Sequence, residues 1–282
     1  MIQKTSPVIK PENLLAVKGS FTLVIVDVRT GAHAFENYEK EHLEGALFVD
    51  LENMLATKSE NAANGGRHPL PSVEKFTEVL THLGITPESN VIVYDDKNGA
   101  NAAARFWWML RAIGHNNVQV IDGGFQAAVK YGFPVSAKKE MISIKNPYVA
   151  DNWLLPLVDL EAVEKATHDE DFLIVDVRDQ VRFDGITEPI DLIAGHIPNA
   201  INVPFTNNLD AEGFYLGPSV LKAQYEAFFN NKPSENIIVH CGSGVTACHT
   251  LLALDYAGFD MPNLFVGSWS EWSRNDLPMI TA

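Results

Sequence analysis

Short, unbroken apolar runs alternate along this chain with longer stretches of helical period. Leu23-Val24-Ile25-Val26, Val91-Ile92-Val93, Leu173-Ile174-Val175 and Ile237-Ile238-Val239 are brief and rich in Val and Ile. Such runs predict strands buried on both faces, hence parallel sheets. Phe106-Trp107-Trp108-Met109-Leu110-Arg111-Ala112-Ile113, closed by Gly114, reads as a crossover helix. Leu251 to Ala257, closed by Gly258, reads as its counterpart. The expected class is α/β, with helices on both faces of each sheet.

The pattern occurs twice, in the same order. Leu23 to Arg29 matches Leu173 to Arg178, and His42-Leu43-Glu44-Gly45-Ala46 matches His196-Ile197-Pro198-Asn199-Ala200. Asn90-Val91-Ile92-Val93-Tyr94 matches Asn236-Ile237-Ile238-Val239-His240. Val120-Ile121-Asp122-Gly123-Gly124-Phe125 matches Phe265-Val266-Gly267-Ser268-Trp269. Each copy is domain-sized, so two tandem domains of one fold are expected rather than a solenoid. Their bounds are 1–136 and 156–282, joined by a linker over 137–155 that carries Lys138-Lys139-Glu140 and Asn146-Pro147-Tyr148.

Composition narrows the function classes. The 282 residues are 46% hydrophobic and 20% charged, as in ordinary globular chains. A net charge of −15 argues against nucleic acid or an anionic membrane as the main partner. An anionic substrate must then be drawn in by local groups. Two cysteines, Cys241 and Cys248, make no disulfide framework and fit a reducing compartment, with the cytoplasm as the expected location. No apolar run approaches the ~20 residues of a membrane span. No His, Cys and acid spacing suggests a metal site, so neither a metal nor an organic cofactor is expected.

Cys241 carries the strongest chemical signal. It follows an apolar run and precedes Gly242-Ser243-Gly244-Val245-Thr246, which opens a helical stretch. A thiol at a strand end and helix start meets converging backbone N–H groups and the positive end of the helix dipole, which favour the thiolate. A packed core has no need of glycines around sulfur. The matching loop of the first copy, Asp95-Asp96-Lys97-Asn98-Gly99, has no thiol; Asp95 or Asp96 stands at the position of Cys241. The expected design is one active domain and one inactive domain supplying a wall of the cleft. Cys248, within the helix, reads as a core residue.

Asp176-Val177-Arg178, Gly195-His196-Ile197-Pro198, Cys241-Gly242-Ser243-Gly244-Val245-Thr246-Ala247 and Gly267-Ser268-Trp269-Ser270-Glu271-Trp272 together resemble the tandem-domain rhodanese family of sulfurtransferases. Within it the Cys-Gly-Ser-Gly-Val-Thr loop resembles the 3-mercaptopyruvate sulfurtransferases, because thiosulfate-preferring members carry basic residues at the positions of Gly242 and Ser243. The resemblance implies a persulfide on Cys241, formed from mercaptopyruvate or thiosulfate and discharged to cyanide or to a thiol such as thioredoxin or a small thiol. Gly242, Gly244, Val245 and Thr246 would cradle it, and Arg182 would face the small anionic donor. A relay of Ser243, His68 and an acid near Glu52 is implied as well, with His68 and Glu52 supplied by the inactive domain. Arg29 and Arg178, and His42 and His196, recur in both copies and read as structural. One departure stands out: residues 188–194 hold no base where mercaptopyruvate members have a second arginine, so Arg67 or loop amides would replace it.

Two other functions fit parts of the pattern. Phosphatases and arsenate reductases place His-Cys at a strand end, but need an arginine where this chain has Ala247. A non-catalytic carrier fed by a desulfurase would carry the same loop.

Overall fold

The computed structural model describes residues 5–142 and 146–281. They form two compact units. The first comprises Met1–Ala56, Pro71–Leu154 and Glu212–Phe214, and the second Thr57–Leu70, Leu155–Ala211 and Tyr215–Ala282. The segment Thr57–Leu70 lies within the first sequence copy, yet its contacts assign it to the second unit.

In the first unit a sheet runs in the order Val8–Ile9, Val118–Ile121, Asn90–Tyr94, Leu23–Arg29, Ala46–Asp50. Every pairing in it is parallel. Val26, Val28, Val91, Ile92 and Val93 are fully buried, which is why these strands read as continuous apolar runs and not as alternating ones. The helix Ala102–Ala112 is buried along nearly its whole length, including Phe106, Trp107, Trp108 and Met109. Gly114 follows it with φ +86°, a conformation in which glycine ends helices without strain. The linker expected over 137–155 includes residues 143–145, which lie outside the described residues. Before them, Val135–Ser136 pairs antiparallel with His42–Leu43. After them, the Trp153 ring packs on Phe76 and Trp108.

The second unit repeats the sheet: Ala200–Asn202, Leu173–Asp176, Ile237–His240, Asn263–Phe265, Leu157–Val158, again all parallel. Ile174, Ile197, Ile238, Phe265, Trp269 and Trp272 form its core with Val163 and Ala166. The helix Thr246–Ala257 is buried almost throughout and closes on Gly258 in the left-handed region. Among the described residues no helix is long and apolar enough to cross a membrane.

The repeated charged and imidazole groups hold the fold. Arg29 Nε donates to Asp27 at 2.8 Å, and Arg178 Nε to Asp176 at 2.9 Å. Each arginine also donates to a turn carbonyl, that of Glu41 or of Gly195. His42 Nδ1 bonds the Tyr38 carbonyl and stacks on the Tyr38 ring; His196 does the same with Phe183.

Candidate active site

Register assigns the position of Cys241 in both copies. Tyr94 pairs with Asp27 in the first sheet, and His240 pairs with Asp176 in the second. The next residue is Asp95 in one and Cys241 in the other. Asp95 is buried, and its carboxylate accepts four backbone N–H groups, from Lys97 and Gly99 at 2.8 Å, Asn101 at 3.0 Å and Ala103 at 3.1 Å. Burial pushes its carboxyl up, and the four amides oppose that. The loop after this strand is therefore an anion cradle, filled in the first copy by the protein's own side chain.

In the second copy the loop is pinned from behind. The Cys241 amide donates to Ser268 Oγ at 3.1 Å, the Cys241 carbonyl accepts from Trp269 N at 3.0 Å, and the Gly242 carbonyl accepts from Ser270 N at 2.9 Å. Gly244 has φ +73°, and a Cβ there would stand 2.6 Å from the Val266 carbonyl oxygen, so only glycine lets the loop lie this close to its neighbour. Val245 is buried at the start of the helix opened by Thr246. Cys241 is 2% exposed. Beneath it, burial lowers the basicity of His240, whose Nε2 is 3.8 Å from Asp176; His240 and Arg178 in turn hold the Asp176 carboxyl below its ordinary range, against the opposing effect of burial. Cys248 is fully buried and bonds the Gly244 carbonyl at 3.3 Å, as a core residue does. His249 bonds the Tyr215 hydroxyl.

The segment Thr57–Leu70 adds the remaining polar groups. Gly65 N donates to Glu271 at 2.7 Å, Arg67 N to Ser270 Oγ at 3.0 Å, and Asn275 Nδ2 to the Ala63 carbonyl at 3.0 Å. So held, His68 reaches Ser243: Nδ1 and Oγ are 2.7 Å apart, with both side chains largely buried. A Cβ built on Gly242 would meet Arg67 Nη2 at 3.1 Å, Arg182 Nη2 at 3.4 Å and Asp191 Oδ2 at 3.6 Å. Two guanidinium groups and one carboxylate thus crowd the residue that follows Cys241.

Residues 10–130 and 159–275 each match the rhodanese-like domain, together well over half of the chain. The chain belongs to the rhodanese family of sulfurtransferases. Among its relatives is the "Probable 3-mercaptopyruvate sulfurtransferase" of Pseudomonas aeruginosa, 37% identical over 236 residues that cover 83% of this chain and 82% of that protein. The thiosulfate sulfurtransferase of Rattus norvegicus is 36% identical over 255 residues, covering 87% and 82%. The crystal structure of SseA from Escherichia coli, a 3-mercaptopyruvate sulfotransferase, superposes with a TM-score of 0.76 at 30% identity, over 95% of this chain and 100% of that one.

The second unit brings Cys241, Ser243, His68 and Arg182 into one neighbourhood, with Arg67 beside them. His68 comes from the first sequence copy, but packs as part of the unit that holds Cys241. Glu52 belongs to the first unit, exposed on the short helix Leu51–Met54, where Thr30 Oγ1 donates to it at 3.3 Å. Sequence reasoning missed three members of the neighbourhood: Glu188, Asp191 and Arg274. Glu188 accepts Arg182 Nε at 3.0 Å; burial would raise its carboxyl, but the Arg182 bond and two backbone amides lower it. Asp191 is fully buried at its side chain and faces Arg67 at 3.0 Å, Arg182 at 3.3 Å and Arg274 at 3.1 Å. The only sequence signal for Glu188 and Asp191 was the base-free stretch 188–194 itself, and Arg274 had none. Among the described residues no group of three or more His, Cys, Asp or Glu is placed to hold a metal ion.

Proposed function

We propose that this sulfurtransferase takes sulfur from 3-mercaptopyruvate, carries it as a persulfide on Cys241, and passes it to an acceptor thiol or to cyanide. The observation that carries the donor assignment is the Ser243–His68 pair at 2.7 Å beside Cys241. Cleaving carbon–sulfur leaves an enolate that needs a proton, and a hydroxyl backed by an imidazole handles one. Sulfite leaves thiosulfate without a proton, so a thiosulfate enzyme has no use for such a pair.

The steps balance. The Cys241 thiolate attacks the donor sulfur, a sulfur–sulfur bond forms and the carbon–sulfur bond breaks. Its electron pair goes to the pyruvate enolate, which becomes pyruvate on gaining the proton released by the donor thiol. The persulfide anion remains on Cys241, in a loop of the kind that cradles a carboxylate at Asp95. Gly242, Gly244, Val245 and Thr246 would line it. Arg182, and Arg67 in place of the second arginine that residues 188–194 lack, would hold the donor carboxylate, since a guanidinium matches a carboxylate with paired donors. An acceptor thiolate then removes the outer sulfur, so ping-pong kinetics are expected. A reducing compartment such as the cytoplasm suits a free catalytic thiol, and thioredoxin or a small thiol suits the acceptor step.

The second reading, a thiosulfate-preferring enzyme, is favoured by the nearly equal identity to the rat thiosulfate sulfurtransferase. Incubation with each donor, intact-mass analysis and a kcat/KM comparison decide between them. Gain of one sulfur on Cys241 with mercaptopyruvate preferred is the expected result. A clear preference for thiosulfate overturns the assignment, and no gain with either donor points to a carrier fed by a desulfurase.

A further inference from the structure

Asp191 has no evident place in sulfur transfer, yet it lies at the donor side of the nucleophile. Its side chain is fully buried among Arg67, Arg182 and Arg274, and its Oδ2 would stand 3.6 Å from a Cβ on Gly242. Arg182 is shared with Glu188, and Arg274 is tied back to the Ser270 carbonyl at 2.8 Å. Glu188 also meets Arg178, which pairs with Asp176, so four guanidinium groups face three carboxylates, a surplus of one positive charge. A site built only to attract anions would leave the arginines less neutralised.

We infer that Asp191 is a specificity-determining residue, a fixed negative charge that lets the arginine cluster accept a monoanionic donor and disfavours a dianionic one. The inference rests on the proposed donor chemistry: mercaptopyruvate presents one carboxylate, whereas thiosulfate carries two negative charges. The energy of a donor in the field of a fixed charge scales with the donor's own charge. Asp191 therefore opposes thiosulfate about twice as strongly as mercaptopyruvate. Its pairing with three arginines also orients them, and Asp191→Glu, which keeps the charge but moves the carboxylate, separates that effect from the charge.

The test is the ratio of kcat/KM for thiosulfate to that for mercaptopyruvate, which in a ping-pong enzyme reports only the donor half-reaction. Asp191→Asn keeps the shape and removes the charge. It should raise the ratio about tenfold, the size of effect one unit charge exerts several ångströms away in a partly solvated site. Asp191→Glu should leave the ratio near that of the parent. A ratio unchanged within about twofold in a folded Asp191→Asn protein, or one that falls, overturns the inference. Should Asp191→Asn not fold, Arg274→Gln gives the reverse reading: with Asp191 less neutralised the ratio should fall, and an unchanged or higher ratio overturns the inference. The parent's own donor preference tests the proposed function separately, because the shift between variants is read whichever donor the parent prefers.

Discussion

His68 Nδ1 stands 2.7 Å from Ser243 Oγ, although the two residues are 175 positions apart in the chain. The pair is buried and sits two residues beyond Cys241, where a proton must move if carbon leaves sulfur. Ser243→Ala and His68→Gln should each lower kcat/KM for mercaptopyruvate by about 10²-fold, the usual contribution of a positioned acid or base. The double variant should lose little more than either single one, because the two act as a unit. Steady-state kinetics on the three proteins checks this, and a value unchanged in both single variants would exclude the pair from proton transfer.

Arg182 Nη2 lies toward Gly242 and meets Asp191 at 3.3 Å and Glu188 at 2.8 Å, while Nε donates to Glu188 at 3.0 Å. Arg182→Ala should lower kcat/KM for mercaptopyruvate about tenfold or more, the loss of one charge-assisted bond, mostly through KM. Donor titrations at constant acceptor concentration measure it.

Gly244 combines φ +73° with a close approach to the Val266 carbonyl. Gly244→Ala should cost about 2 kcal/mol or more from left-handed strain and the forced collision. Urea unfolding gives the stability change, and intact mass after donor treatment should show reduced sulfur on Cys241.

Burial would raise the Glu188 carboxyl, but the Arg182 bond, the backbone amides of Asp191 and Ile190 and the Arg182 charge together hold it below its ordinary 4.5. A carboxyl with a depressed folded-state pKa contributes stability that is present above its ordinary value and lost as pH falls through the folded-state value. The contribution of Glu188 should therefore be lost as pH falls below about 4.5, with that of Asp176, lowered from 3.8, lost further down. Glu188→Gln should flatten the upper part of that decline and reduce stability at neutral pH by about 2 kcal/mol. Thermal unfolding across pH reads both effects.

Asp95 occupies in the first unit the position that Cys241 occupies in the second, and satisfies four amides there. Asp95→Ala leaves those donors to water or to nothing and should destabilise the protein by about 3 kcal/mol. Asp95→Asn, which keeps the acceptor oxygen, should cost less. Calorimetric melting of the two variants sets the order.

The strands and main helices were legible because their signals are local. Ile237-Ile238-Val239 announces a strand buried on both faces, and Phe106 to Ile113 announces a buried helix, whatever the rest of the chain does. The repeat then made Cys241 conspicuous, since the sister loop at Asp95 has the same strand and no thiol. Arg182, Ser243 and His68 were reached through motif resemblance rather than from periodicity, which is blind to them. Asp191 was passed over because an acid in a base-free loop looks like an ordinary surface carboxylate.

The sequence by itself determined two α/β copies, the strand ends, and the loop that presents one thiol, because apolar periodicity and glycine placement act over a few residues. The tertiary structure alone decided that Thr57–Leu70 packs with the unit that contains Cys241, and that Asp191 lies among Arg67, Arg182 and Arg274, separated from them by 124, 9 and 83 positions. Charge pairing depends on distance in space, and that distance is set by how distant loops close on a shared core, which no local pattern records.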